Sequence, residues 1–181
     1  MAGLLAVLLF MIVRTEPRAS VAAADAQPAE DGAGTPPDIS SMSPRERFNR
    51  LYNRIMTAAQ SGDEGTVGRF TPMALTAYAQ LDTVDADARY HAALLEVHTG
   101  DVAGATALAD TILAQDPGHL FGYIIQGTVA RWQKDDKALA RAYAGFQQHY
   151  DAETKAGRPE YSEHSRSLDE FRKDALKAGS R

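Results

Sequence analysis

From residue 43 onward, apolar residues recur at intervals of three and four positions, which places them along one side of an α-helix. The first such stripe consists of Phe48, Leu51, Tyr52, Ile55 and Ala59. Ser43 can cap this helix, Pro44 suits its first turn, and Glu46 can return a hydrogen bond to the cap. We see no strand pattern in this region, so the hydrophobic spacing predicts an all-α fold.

Breaks between successive stripes divide residues 43–181 into seven predicted helices. The second stripe contains Pro72, which predicts a kink or a restart with Thr71 as cap. Asp85 can cap the third helix and Asp101 the fourth. The fifth helix is predicted over about 120–133 and the sixth from about 136 until the chain reaches Gly157-Arg158-Pro159. A seventh helix follows, with Ser162 as a candidate cap.

The breaks themselves repeat along the chain. The turns within helix pairs are predicted at Gly62-Asp63, Gly100-Asp101 and Lys134-Asp135, 38 and 34 residues apart. The ends of the pairs are predicted at Leu81-Asp82, Gln115-Asp116 and Tyr150-Asp151, 34 and 35 residues apart. Periods in this range are typical of stacked helical hairpins, in which each unit buries its apolar face against its neighbours.

The segment 87–119 resembles a tetratricopeptide repeat. The resemblance rests on Ala88 and Tyr90 at the opening, Gly100 and Asp101 at the turn, Ala105 where the helices touch, and Leu113, Asp116 and Pro117 at the close. Gly127 fits the small packing position of the next pair. The first pair matches least, because Val67 replaces the small residue. The resemblance implies an all-α, tetratricopeptide-like solenoid of three helical hairpins plus a C-terminal capping helix over residues 43–181.

In such stacks the first helix of each pair lines a concave groove. The resemblance therefore implies a groove that offers Asn49, Tyr52, Met56, Gln60, Asp87, Tyr90, Leu94, His98, Phe121, Ile124, Thr128, Arg131 and Trp132. This set is rich in residues that anchor protein partners, and Trp132 is the best single candidate. Two alternatives stay open: the aromatic stripes are core, or the last helix folds back and fills the groove.

The amino-terminal region has a different composition. Residues 3–13 are eleven apolar residues, shorter than the roughly 20 that span a membrane. Together with Ala22-Ala23-Ala24 they predict a signal peptide or membrane anchor over residues 1–24, although no basic residue precedes the apolar run. A start upstream of Met1 or an uncleaved anchor would account for this. Residues 25–42 are rich in Ala, Pro, Gly and Asp, which predicts a flexible linker.

Composition and motifs argue against several chemistries. The net charge of −5 disfavours nucleic acid, and the lack of cysteine excludes thiolate metal sites and disulfides. We see no nucleophile elbow or phosphate loop. His91 and His98 lie seven residues apart, whereas a helical zinc pair prefers four. We therefore predict no enzyme activity, no cofactor and no metal site. The basic cluster Arg45, Arg47, Arg50 and Arg54 fits a solvated face better than a patch for anionic lipids.

These expectations combine into one functional hypothesis. We expect a non-enzymatic scaffold for protein–protein interaction, exported, periplasmic or membrane-tethered, that acts as an accessory subunit or assembly factor of a membrane-associated complex. A permanent structural subunit of an electron-transfer complex is the first alternative. A small-molecule binder that uses the groove is the second. A domain on the cytoplasmic face of the membrane stays open as an alternative location.

Overall fold

The computed structural model describes residues 42–180, and within this range the chain forms helices joined by turns and loops, without strands. The all-α prediction is therefore confirmed for these residues. The signal or anchor predicted over residues 1–24, and nearly all of the linker, lie outside the described residues. The helices are α1 Pro44–Ser61, α2 Glu64–Ala79, α3 Ala86–Thr99, α4 Val102–Gln115, α5 Leu120–Gln133, α6 Asp136–Ala156, α7 Pro159–Glu163 and α8 Ser165–Gly179. Among them, none combines the length and the apolar character that a membrane crossing needs.

The start of α1 follows from its local sequence. The Ser43 hydroxyl accepts a hydrogen bond from the Glu46 N–H, and the Ser43 N–H donates to Glu46 Oε2 at 2.9 Å. Each side chain thereby accepts a hydrogen bond from the backbone N–H of the other residue, which has no partner within the helix. Pro44 occupies the first turn, where its missing N–H costs nothing. The predicted cap and proline positions are both confirmed.

Three turns of the same construction join α1 to α2, α3 to α4, and α5 to α6. The first residue of each turn has a positive φ: Gly62 at 75°, Gly100 at 82° and Lys134 at 57°. The second residue is the N-cap of the next helix: Asp63, Asp101 or Asp135. In all three turns its N–H donates to the carbonyl five residues earlier at 2.9 Å. Its carboxylate accepts from the N–H three residues later.

Helices that follow one another in the chain pack against one another from α1 through α6, and α3 also packs against α5. The buried side chains form two clusters. One cluster joins α1, α2 and α3 around Phe48 and Ile55, and the other joins α3 through α8 around Phe121 and Phe146. Leu94 packs against both clusters, so α3 links the two parts of the core.

Two helix boundaries differ from the sequence prediction. The helix α2 runs through Pro72 without a break, so a restart at Thr71 is wrong. Instead, the Thr71 hydroxyl donates to the Val67 carbonyl at 2.8 Å, within the turn that the proline interrupts. The end of the third pair predicted at Tyr150-Asp151 is also wrong, because α6 continues to Ala156, whereas the predicted stop of this helix at Gly157-Arg158-Pro159 is confirmed. No glycine or proline lies between Tyr150 and Gly157, which adopts a φ of 67°.

The carboxyl-terminal region forms two helices rather than the single one that the sequence predicts. Pro159 starts the short helix α7, and Ser162 lies inside it instead of capping a longer helix. The chain leaves helical geometry at His164, with φ −110° and ψ 22°, and α8 begins at Ser165. The helix α8 packs against α6 and α5. The break at His164 coincides with contacts that this residue makes to α3.

Candidate functional site

Four of the side chains predicted to line the groove face the interior of the domain. Tyr52, Tyr90, Phe121 and Ile124 are all buried. The Tyr90 ring stacks on Phe121 with 4.3 Å between centroids, and the Tyr52 ring stacks on His91 at 3.8 Å. These contacts join α1 to α3 and α3 to α5, and we refer to the side of the three helices that carries these residues as the aromatic face. In this conformation these four side chains contact other residues of the chain.

The two carboxyl-terminal helices cover part of this face. The Tyr161 ring of α7 meets the Phe121 ring edge-on, with centroids 5.4 Å apart. The His164 ring packs against both Tyr90 and Phe121. On α8, the Phe171 ring lies over Gly127. The part of the face formed by α3 and α5 is thus filled from within the chain, which is one of the two alternatives that the sequence left open.

Arg131 also has partners within the chain. Its guanidinium donates to the Tyr143 hydroxyl at 2.8 Å and to Asp174 Oδ2 at 2.7 Å. It lies 5.5 Å from the centroid of the Phe171 ring, which is within reach of a cation–π attraction. Arg131 therefore connects α5 to α6 and α8. About a third of its side chain stays exposed, so the attraction to Asp174 is screened by water.

The other predicted groove residues keep some access to solvent. Asn49 and Gln60 are exposed, whereas Asp87 and the following side chains are partly buried: Met56, Leu94, His98, Thr128 and Trp132. Trp132 packs against the larger core cluster while part of it reaches the surface. Burial lowers the pKa of His98 below its ordinary value. These residues, rather than the aromatic pair Tyr90 and Phe121, are the ones that an external partner can reach.

The positions on which the resemblance rests have clear structural roles. Gly100 supplies the positive φ of its turn and Asp101 caps α4. Ala105 is fully buried. The Pro117 carbonyl accepts a hydrogen bond from the Tyr123 hydroxyl at 2.6 Å. A Cβ added to Gly127 would lie 2.5 Å from the Phe171 ring, so this position admits no side chain without displacing α8.

A polar cluster lies beside the aromatic face, where α3 meets the α7–α8 junction. His164 Nε2 lies 2.8 Å from Asp87 Oδ1 and 3.1 Å from His91 Nε2. His91 Nε2 lies 3.6 Å from the same Asp87 oxygen. The His164 side chain is only 16% exposed, so most of it lies in the interior of the domain rather than on its surface. The sequence prediction compared His91 with His98, whereas the structure pairs His91 with His164 and Asp87.

The electrostatics of the cluster follow from its burial. Desolvation lowers the pKa of His91 to about 4, although Asp87 works in the opposite direction. Burial alone would raise the pKa of Asp87, but the hydrogen bond with His164 and the nearby basic side chains, Arg45 among them, lower it overall. His91 is therefore neutral and Asp87 ionised at neutral pH. A neutral imidazole and a carboxylate are both electron-pair donors, so the cluster can bind a proton or a metal ion.

A second network fixes α7 near the start of α5. His119, which caps α5, is buried and lies 3.3 Å from Glu160 Oε1. Burial is the largest cause of its lowered pKa. Arg158 donates to Glu153 and forms a close ion pair with Asp116. These contacts hold the chain between α6 and α8 in place, and they therefore position His164.

The described residues thus form an all-α domain whose aromatic face is partly covered by its own carboxyl-terminal helices. Comparisons with protein-family models, with curated proteins and with solved structures find no match to this chain.

Proposed function

We propose that this chain is a non-enzymatic scaffold for protein–protein interaction, built from three tetratricopeptide-like hairpins and a C-terminal cap. The observation that carries the proposal is the identical turn at Gly62-Asp63, Gly100-Asp101 and Lys134-Asp135, with the same hydrogen bonds each time. Repeated hairpins that bury their faces against one another present an extended surface, and such surfaces commonly hold peptides or helices.

The docking surface that we propose is the part of α1, α3 and α5 that α8 leaves accessible to solvent. Its apolar centre comprises Met56, Leu94 and Trp132, which are all partly exposed. Asn49, His98 and Thr128 supply polar groups at its margins. Tryptophan and methionine are enriched among residues that anchor partners, because they bury a large apolar area per side chain. A partner helix or extended segment with apolar anchors fits this chemistry.

Tethering to a membrane is the second part of the proposal. The apolar residues 3–13 would export or anchor the chain, and residues 25–42 would act as a flexible spacer. The scaffold would then work as an accessory subunit or assembly factor of a membrane-associated complex. A permanent structural subunit of such a complex remains the alternative, and it differs in being purified with its partner in fixed ratio.

Affinity purification of the full chain from native membranes in mild detergent tests the proposal. We expect a specific protein partner whose recovery falls at least about tenfold with Trp132→Ala, the loss typical of an anchoring residue. Leu176→Ala is the matched control, because Leu176 is an exposed apolar residue on α8, outside the proposed surface. The circular-dichroism signal of the Trp132→Ala chain should stay helical.

Two results would overturn the proposal. One is equal recovery of every co-purifying protein with the wild type, Trp132→Ala and Met56→Ala chains. The other is a reproducible rise in melting temperature with a small metabolite, together with conversion of that metabolite by the wild type alone. A fixed-ratio complex that persists through size exclusion would instead favour the permanent-subunit alternative. Sequencing the mature amino terminus in the same preparation would decide whether residues 1–24 are cleaved.

A further inference from the structure

Three side-chain atoms from distant parts of the chain converge beside the aromatic face. Asp87 and His91 lie one turn apart on α3, which places them on the same side of that helix. His164 comes from the break between α7 and α8, 73 residues beyond His91. Asp87 Oδ1 and the two Nε2 atoms are separated by 2.8, 3.1 and 3.6 Å.

These separations match the spacing of ligands around a small metal ion. The three atoms form a triangle with a circumradius of about 1.9 Å, whereas Zn²⁺ binds nitrogen and carboxylate oxygen at about 2.0–2.1 Å. An ion at that distance from all three atoms would lie slightly above their plane. The centre of a tetrahedral site has the same relation to three of its ligands. The arrangement therefore fits Zn²⁺ with little movement and leaves a fourth position open.

Hydrogen bonds within the cluster leave one of its three atoms without a good partner. A hydrogen on one ring nitrogen can form a hydrogen bond that joins two of the three atoms. The third atom then lies against a lone pair of its neighbour or has to share the same hydrogen. The other ring nitrogen of His91, Nδ1, is buried and has no hydrogen-bond partner among the described residues. A metal ion at Nε2 would place the ring hydrogen on this Nδ1, so the aromatic contacts of the ring, rather than a hydrogen bond at Nδ1, would have to fix its orientation. A divalent cation would bind all three electron pairs at once.

The rings that carry the two nitrogen atoms are held in place by aromatic contacts. The His91 ring stacks on Tyr52 with an interplanar angle of 19°. The His164 ring meets Tyr90 and Phe121 edge-on, at 5.1 and 5.2 Å between centroids. Rings fixed in this way lose little conformational freedom on binding an ion, and the low exposure of His91 weakens competition by water.

We propose that Asp87, His91 and His164 bind one Zn²⁺ ion, which joins α3 to the junction of α7 and α8. The ligand set favours this class of metal, because two imidazoles select transition metals and zinc over Mg²⁺ or Ca²⁺, which prefer oxygen ligands. The ion would fasten the carboxyl-terminal helices over the aromatic face. The proposal is independent of the scaffold function, because it rests on the geometry of the three ligands alone.

Zinc titration of the full chain in mild detergent, after removal of metal with a chelator, tests the site. We expect one Zn²⁺ per chain by calorimetry, and Co²⁺ in its place should give the visible absorption of a tetrahedral site. His164→Gln and Asp87→Asn should each weaken Zn²⁺ binding at least about tenfold, since even residues that only support a ligand have effects of that size. His149→Gln is the matched control, because His149 lies on α6 and stacks on Tyr123.

A measurement on the wild-type chain covers the case in which a variant fails to fold. In ¹⁵N histidine spectra, Zn²⁺ should shift the Nε2 resonances of His91 and His164 and leave those of His98 and His149 in place. The proposal is overturned if the wild type binds no Zn²⁺, if the two resonances do not respond, or if folded His164→Gln binds Zn²⁺ as tightly as the wild type.

Discussion

The Tyr161 hydroxyl oxygen accepts a hydrogen bond from the backbone N–H of Leu120 at 3.0 Å. Leu120 is the first residue of α5, and its N–H is one of the donors that a helix start leaves without a partner in the helix. The same hydroxyl donates to Glu153 Oε2 at 2.7 Å. A side chain 41 residues downstream therefore completes the start of α5 and links it to α6 and α7.

Replacement of Tyr161 by phenylalanine should destabilise the fold. The ring can keep its place, but the buried N–H of Leu120 loses its acceptor, which costs about 1–3 kcal/mol. The free energy of unfolding from urea denaturation measures the effect. Tyr123→Phe is the control, because its hydroxyl makes one exposed bond to the Pro117 carbonyl and its loss should cost less than about 1 kcal/mol. Equal losses in the two variants would contradict the role assigned to Tyr161.

Ala105→Leu should destabilise the contact between α3 and α4. Ala105 is fully buried, so a larger side chain forces its neighbours apart at a cost of about 1–3 kcal/mol. Ala103→Leu on the same helix is the control, since Ala103 is exposed and the substitution there should change stability by less than about 0.5 kcal/mol. Urea denaturation measures the midpoint of each variant. An unchanged midpoint for Ala105→Leu would disprove the close contact between α3 and α4.

Two glycine-to-alanine substitutions should have opposite signs. In Gly127→Ala the new methyl would meet the Phe171 ring at 2.5 Å, so α8 has to shift and the fold loses about 1–3 kcal/mol. In Gly68→Ala the methyl meets nothing within 4 Å on an exposed part of α2. Alanine should therefore stabilise α2 by about 0.5–1 kcal/mol through its better helix propensity. Thermal unfolding of the pair measures both effects, and a loss of stability in Gly68→Ala would count against the position of α2.

The stability of the second hairpin should depend on the protonation of Glu96. Burial and the neighbouring carboxyl of Asp101 raise the pKa of Glu96 from 4.5 to about 6. Because the folded-state pKa is the higher one, the contribution of Glu96 to stability is fully present below pH 4.5 and is lost as the pH rises through 6. At pH values above 6, Glu96→Gln should therefore raise the urea concentration at the unfolding midpoint. Below pH 4.5 the same substitution should have a smaller effect. The exposed Glu64→Gln controls for the loss of a charge, and a pH-independent difference for Glu96→Gln would exclude this account.

Most helix starts were predictable from sequence because their causes are local. Ser43, Asp85, Asp101 and Asp135 each cap a helix through the N–H three residues later. The end of α6 was predicted correctly from Gly157-Arg158-Pro159, whereas the repeat interval placed the end of the third pair too early, at Tyr150-Asp151. Where the period and the local chemistry disagreed, the local chemistry determined the boundary.

The polar cluster could be predicted only in part. The spacing of Asp87 and His91 places both on one side of a helix, and this signal is present in the sequence. His164 joins them through the packing of α7 and α8, which depends on contacts such as those of Tyr161 and Arg158. Such long-range contacts leave no periodic trace in the sequence. The covering of Tyr90 and Phe121 by the carboxyl-terminal helices has the same origin.

Because α7 and α8 cover the α3–α5 part of the aromatic face, any external segment aimed at Tyr90 or Phe121 meets an intramolecular competitor. A competitor on a short connection acts at an effective concentration in about the millimolar range. A free ligand would therefore bind the covered face with a lower apparent affinity than it would bind the same face without α7 and α8. Cleavage of the chain near Gly157 would remove the advantage of the short connection, because α7 and α8 would then compete for the face as a separate segment.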